Sequence, residues 1–197
     1  MALPREPRQK MINMMYLVLT ALLALNVSAE IINAFKVVDN SLKQSNTVLS
    51  SSTNTIYENF TEMLKDPKTA EKAAIWKPKA DKSRELAKQT SDLIEKYKLD
   101  LMKEAGYDPS KGDSSFKEDN IDAATRLFDT KGEGIKLYSA LENFKKEVLA
   151  IDPAIAKELG NKIPLNLDVP KSATGKKSTG DKVKDWTYSN FHMTPTV

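Results

Sequence analysis

Residues Met11 to Ala29 read MINMMYLVLTALLALNVSA, nineteen positions without a charge in an otherwise polar chain of 197 residues. A helix of that length measures roughly 28 Å, close to the roughly 30 Å hydrocarbon core of a bilayer. Arg5, Arg8 and Lys10 precede the stretch, offset only by Glu6, and Glu30 follows it. A basic flank stays in the cytoplasm, so the rest of the chain is expected to face outward.

A cleavable signal peptide competes with this reading. The basic start suits one, and Val27-Ser28-Ala29 resembles a small-residue cleavage site. Three features favour an uncleaved anchor. The uncharged run is long for an export signal. It holds Asn13, Tyr16, Thr20 and Asn26, so it is not a plain leucine run. The helical pattern also continues past the supposed cleavage site.

That continuation is the strongest periodicity in the chain. Phe35, Leu42, Leu49, Ile56 and Met63 recur every seven residues, and Ile31, Val38, Ser45 and Ser52 interleave. The pattern is a coiled-coil a/d seam, weakened in its middle by serines. Neither Gly nor Pro interrupts residues 8 to 66, which predicts one helix from the membrane to about Lys65. The seam has two readings: an amphipathic helix facing its own domain's core, or a helix meeting its symmetry mate just outside the membrane.

Beyond it, Asp66-Pro67 predicts a helix stop and restart, with a short helix through Trp76 that Pro78 breaks or kinks. Leu86, Thr90, Leu93, Tyr97, Leu101 and Ala105 mark an amphipathic helix from about Lys79, ended by Gly106 as a C′ residue. Tyr107 to Phe116 reads as a polar loop, and Ile121, Ala124, Leu127 and Phe128 give a short helix from about Lys117 to Thr130. Gly132 and Gly134 form the next turn. Ile135, Tyr138, Leu141, Phe144 and Val148 give a helix to about Ala150, and Asp152-Pro153 caps a last short one stopped by Gly160. Residues 161–197 read as an exposed polar loop, with Lys171, Lys176 and Lys177 close together. The aromatic cluster Trp186, Tyr188, Phe191 and Met193 at its end should pack on something. The expected fold class is all-α: a single N-terminal transmembrane helix continuing into an elongated bundle of antiparallel helices.

The charge balance, 30 basic against 27 acidic residues, is too even and too interspersed for a nucleic-acid binder. No cysteine is present, which removes disulfides and thiolate metal sites. The single histidine, His192, cannot anchor a zinc site alone and reads as a surface or packing residue. Thr174-Gly175-Lys176-Lys177-Ser178 fails as a phosphate loop, because Ser must follow Gly-Lys directly. The carboxylates have basic neighbours at helical spacing and read as solvated. Neither a catalytic site nor a cofactor is implied.

Polar groups inside the apolar segment are the better lead, since groups buried in a membrane must find a partner or line a path. Asn13, Tyr16 and Thr20 share one helix face, where the plain reading is helix–helix glue. Arg8 and Lys10 bracket the cytoplasmic entrance, and their plain reading is topology and snorkelling. The sharper reading pairs Arg8 with an acidic group in a partner's membrane helix.

At these residues the chain resembles a known family. Pro7-Arg8-Gln9-Lys10-Met11-Ile12-Asn13-Met14-Met15-Tyr16-Leu17-Val18, then Ala24-Leu25-Asn26-Val27-Ser28, is similar to the start of the GldM (PorM) family of gliding-motility and type IX secretion proteins. The resemblance is dense over residues 7 to 42 and looser beyond, where Gly132-Glu133-Gly134 and the Trp186 to Pro195 stretch carry it. It implies an inner-membrane motor driven by the proton gradient, with two such helices inside a ring of five subunits of a GldL-type polytopic membrane protein. Arg8 is then the expected partner of a glutamate in that ring, with Lys10, Asn13, Tyr16 and Thr20 beside it. Ile31, Phe35, Val38, Leu42, Leu49 and Ile56 form the homodimer seam, and torque passes through the periplasm to outer-membrane secretion components.

The domains expected on this basis are a cytoplasmic N-terminus over 1–10, a transmembrane helix over 11–29 and a periplasmic bundle over 30–160. A polar loop and aromatic segment over 161–197 completes the first periplasmic domain. Family members continue into further β-rich domains, so the chain is expected to be an N-terminal part. Two other classes stay open: an exported helical adaptor, and a receptor-like dimer with no motor role.

Overall fold

The computed structural model describes residues 7–111, 117–160, 162–169 and 179–196, with the side chains of 22–29 excepted. The expectations for Arg5, Glu6, the Val27-Ser28-Ala29 site, Phe116 and the lysines at 171, 176 and 177 therefore lie outside the described residues. Every regular element among the described residues is helical. The chain divides near Ser51 into two units.

The first unit is the N-terminal part of α1, which spans Pro7–Met63. Its end agrees with the expected stop near Lys65, because nothing between residues 8 and 66 deprives the backbone of a donor or adds glycine's entropy. Several hydroxyls bond back to the carbonyl four residues earlier: Thr20 to Tyr16 at 2.8 Å, Ser41 to Val37 at 2.9 Å and Thr47 to Lys43 at 3.0 Å. Such bonds satisfy the hydroxyl without a partner helix. Among the described residues no helix is long and apolar enough to cross a membrane. The span expected over 11–29 draws much of its apolar content from positions whose side chains are not described.

The second unit runs from Ser52 to Thr196. It holds the end of α1, then α2 (Ala70–Glu104), α3 (Ile121–Ala124), a π-helical turn (Thr125–Thr130), α4 (Glu133–Ala150), α5 (Pro153–Leu159) and α6 (Lys182–Phe191). Asp66 and Pro67 build the turn from α1 to α2 rather than opening a helix. The Asp66 carbonyl accepts from Thr69 and Ala70, its side chain accepts from the Lys68 N–H at 3.0 Å, and α2 starts only at Ala70.

Of the break or kink expected at Pro78, the break does not occur: α2 continues through it. Proline removes one hydrogen bond and crowds one carbonyl. Contacts on either side hold the helix together there. Lys79 lies over the Trp76 ring and pairs with Asp152, while the Ala80 carbonyl accepts the Tyr57 hydroxyl at 2.5 Å. At its far end α2 closes as expected at Gly106, whose φ is +95°. The Tyr107 N–H reaches the Met102 carbonyl at 2.9 Å and the Gly106 N–H reaches Lys103 at 3.0 Å, a Schellman closure.

α3 starts at Ile121, later than expected, because the Asn120 side chain caps it by accepting from the Asp122 and Ala123 N–H groups, each at 3.1 Å. The π-helical turn that follows is closed by the Lys131 N–H on the Arg126 carbonyl at 2.9 Å. Gly132, with φ +76°, makes the turn into α4, but Gly134 is not part of it. Gly134 sits inside α4, where an added Cβ would lie 2.3 Å from Thr187 Cγ2 and 2.9 Å from the Phe128 carbonyl oxygen. It is a packing glycine that lets α4 meet α6.

The core gathers Tyr97 of α2, Leu127 and Phe128 of the π-turn, Leu137, Tyr138 and Leu141 of α4, and Trp186 of α6. Rings interlock edge-on or stacked: Tyr138 with Trp186 at 5.3 Å and Phe128 with Phe191 at 4.1 Å. The exposed-loop reading of residues 161–197 is corrected, while the aromatic cluster packs as expected, with Trp186 in the core and Phe191 against it. Leu167 is buried and Leu165 packs beside it, so the 162–169 segment covers the core instead of standing free. The aromatic end forms a helix, α6, capped by Asp181 accepting from the Val183 and Lys184 N–H groups. α5 is capped by Asp152 as expected, with Pro153 in its first turn.

Candidate functional site

The residues singled out in the membrane-proximal part of α1 share one helix but not one face. At about 100° per residue, Lys10, Asn13, Tyr16 and Thr20 fall within roughly 60° of Asn13, whereas Arg8 lies about 140° from it. All five are exposed in the single chain. Thr20 spends its hydroxyl on the Tyr16 carbonyl, as its helical setting allows. Asn13 and Tyr16 thus present polar groups on one side while Arg8 presents its guanidinium on the other.

The seam residues are placed as one exposed stripe. Ile31, Phe35, Val38, Leu42, Leu49 and Ile56 are each at least half exposed. Between them run Ser45 and Ser52, also exposed. Charges near the stripe are few, and Asp39 pairs with Lys43 at 2.6 Å along the helix.

Within the second unit, the last turns of α1 use a different face for their own chain. Tyr57 donates to the Ala80 carbonyl, Arg84 lies 4.6 Å over the Tyr57 ring, and the Arg84 guanidinium donates to Asn54 Oδ1 at 3.0 Å. Burial raises the Tyr57 phenol above its ordinary value, and the nearby Arg84 charge opposes the shift. Ile56 and Met63 sit about 100° or more around the helix from Tyr57. The clasp therefore leaves them exposed. Sequence reasoning missed this clasp. Its only local signal is the three-residue step from Asn54 to Tyr57, which puts both on one side.

The remaining titratable groups hold the second unit together. Glu104 of α2 pairs with Lys131 and lies 3.6 Å from Arg126, and its carboxyl is held below the ordinary value chiefly by the Lys131 hydrogen bond. Tyr97 donates to Glu133 at 3.1 Å, and burial with that contact pushes its phenol up to about 12. The groove between α2 and α4 carries Lys96, Lys103, Lys131 and Lys136 against Asp100, Glu104 and Glu133, a nearly neutral set with no aimed nucleophile or acid–base pair. His192 stacks on Tyr188 at 4.0 Å with Nδ1 lying 3.3 Å from Asp129, which is a packing position. Among the described residues no cluster could hold a metal ion.

A comparison with curated proteins finds no match. The family model described as the GldM N-terminal domain matches residues 30–197. The match covers the seam residues and the whole second unit. Arg8, Lys10, Asn13, Tyr16 and Thr20 precede it. A match over that share of the chain establishes that it belongs to the GldM family, a component of gliding motility and type IX secretion rather than an enzyme family.

Proposed function

We propose that this chain is the inner-membrane subunit of a proton-driven rotary motor that powers type IX secretion and gliding. α1 crosses the membrane over residues 11–29 with the N-terminus in the cytoplasm, and the 30–197 region stands in the periplasm. Two copies meet along Ile31, Phe35, Val38, Leu42, Leu49 and Ile56. Their membrane segments lie inside a ring of five polytopic GldL-type subunits, where Arg8 faces a ring carboxylate. An ionised acid attracts a guanidinium strongly and a neutral one does not, so proton entry releases the contact. Torque then leaves through the periplasmic part towards outer-membrane secretion components.

The observation that carries this reading is α1 itself. One helix runs from Pro7 to Met63, carrying an apolar N-terminal stretch at one end and entering the folded helical domain at the other. Its apolar stripe is exposed among the described residues, as a surface that meets a partner would be.

The test is the intact mass of the chain isolated from membranes with its co-purifying proteins. An uncut N-terminus with a small polytopic partner in excess supports the motor. A chain starting at Glu30 without a partner refutes it. Given that complex, Arg8→Ala is expected to abolish proton-driven motion while leaving assembly intact. Unchanged motion removes Arg8 from the coupling step.

A further inference from the structure

We propose that the first turns of α2 form a docking face for an acidic, partly apolar segment of a partner protein, with Trp76 as its anchor. The face belongs to the second unit and uses no residue of the membrane segment or the seam, so it stands or falls apart from the motor reading.

Tryptophan is highly buried on average, as Trp186 is in the core. Trp76 instead stands 41% exposed, and Ile75 beside it 55%. At about 100° per residue, Lys72, Ile75, Trp76, Lys79 and Lys82 fall within a sector of about 120° on α2. Glu71 borders that sector, and the other acids of these turns, Asp81 and Glu85, lie on the opposite side of the helix. Asp152 at the start of α5 pairs with Lys79, whose ammonium lies 4.6 Å from the Trp76 ring centre. The pair holds Lys79 against the indole and gives the face a fixed edge.

Charge decides the occupant. Elsewhere α2 neutralises its lysines along the helix: Lys77 with Asp81 at 2.7 Å, Lys98 with Glu95 at 2.7 Å and Lys103 with Asp100 at 3.5 Å. Lys72 and Lys82 are exposed and make no ion pair among the described residues. Over residues 64–82 six lysines stand against three acids, an excess equal to the +3 of the whole chain. An aromatic anchor with charge at its rim is the anatomy of a protein interface, and tryptophan is the residue type most often found to dominate one. The complement is an apolar side chain flanked by carboxylates. The same face of a second copy does not fit, because Lys72 and Lys82 would meet their own kind. A lipid surface fits less well. A helix that lies in a membrane interface needs a broad apolar face, and here the apolar width is two side chains with the Asp152 carboxylate at its edge.

The probe is a labelled amphipathic peptide of glutamate, leucine and alanine, with two controls: the same composition scrambled so that its leucines share no face, and the same pattern with lysine for glutamate. Binding to the full chain in mild detergent is read by peptide anisotropy and by tryptophan emission. The glutamate peptide should bind at least about tenfold tighter than either control and shift the emission to the blue. Trp76→Phe should remove the shift, since Trp186 is already buried. Lys72→Glu with Lys82→Glu should weaken binding at least about tenfold, while the charge-matched pair Lys88→Glu with Lys98→Glu, outside the face, should change it less than about threefold. Equal weakening by both pairs, equal binding of the scrambled peptide, or no emission shift in the parent overturns the proposal. Tighter binding to phosphatidylglycerol vesicles with the same dependence on Trp76 and the two lysines makes a lipid surface the occupant and overturns it. Self-association lost in the Lys72→Glu, Lys82→Glu chain makes a second copy the occupant and overturns it too.

Discussion

Gly134 offers the sharpest test of how α4 and α6 are joined. A Cβ there would sit 2.3 Å from Thr187 Cγ2, 2.9 Å from the Phe128 carbonyl oxygen and 3.0 Å from Thr187 Oγ1. Thr187 is 2% exposed and its hydroxyl is tied to the Val183 carbonyl at 2.9 Å, so it cannot swing aside cheaply. Overpacking of this kind costs about 1–3 kcal/mol. Alanine's better helix propensity returns up to about 1 kcal/mol of that. Gly134→Ala should therefore destabilise the second unit by about 1–2 kcal/mol net, lowering Tm by roughly 2–8 °C for a domain of this size. Urea unfolding of the full chain in mild detergent, followed by Trp186 fluorescence in a Trp76→Phe background, reads the change. Thr187→Ser removes the nearest atom and keeps the hydroxyl. The double variant should recover about 1 kcal/mol relative to additivity. A Gly134→Ala chain as stable as its parent would refute the close approach.

Trp186 is 7% exposed between Tyr138 and Phe191, so Trp186→Ala should cost about 3–5 kcal/mol, seen as an early or lost urea transition in the helical circular dichroism signal. Pro78→Ala restores a donor inside α2 and should stabilise the chain by about 1–3 kcal/mol in urea unfolding followed by Trp186 fluorescence. The carboxyl of Glu104 is depressed in the folded state, so its contribution is present above its ordinary value of 4.5 and lost as pH falls through the lower folded value. Acid titration of stability should accordingly slope less below about pH 4.5 in Glu104→Gln than in the parent. The raised phenol of Tyr97 works at the other end: its contribution is complete below 10 and lost as pH climbs towards about 12, and Tyr97→Phe should flatten that alkaline loss.

The sequence by itself determined the elements whose cause is local. The uninterrupted run of helix formers settled α1. Gly106 and Gly132 marked places where the chain must take a positive φ, and Asp152-Pro153 marked a start that needs only its own side chain and ring. The seven-residue spacing marked a stripe, because periodicity is a property of one helix. The tertiary structure alone decided what depends on a neighbour. Pro78 stays inside a helix because Tyr57 and Asp152 hold the residues beside it. Gly134 is a contact rather than a turn because Thr187, distant in sequence, occupies the space its side chain would need. Leu165, Leu167 and the α6 aromatics become core because α4 and the π-turn present a surface for them to cover. The stripe's exposure likewise could not be read in advance. Spacing says that one face is apolar, but only the packed chain shows that the last turns of α1 are held through Asn54 and Tyr57 while Ile56 beside them stays exposed.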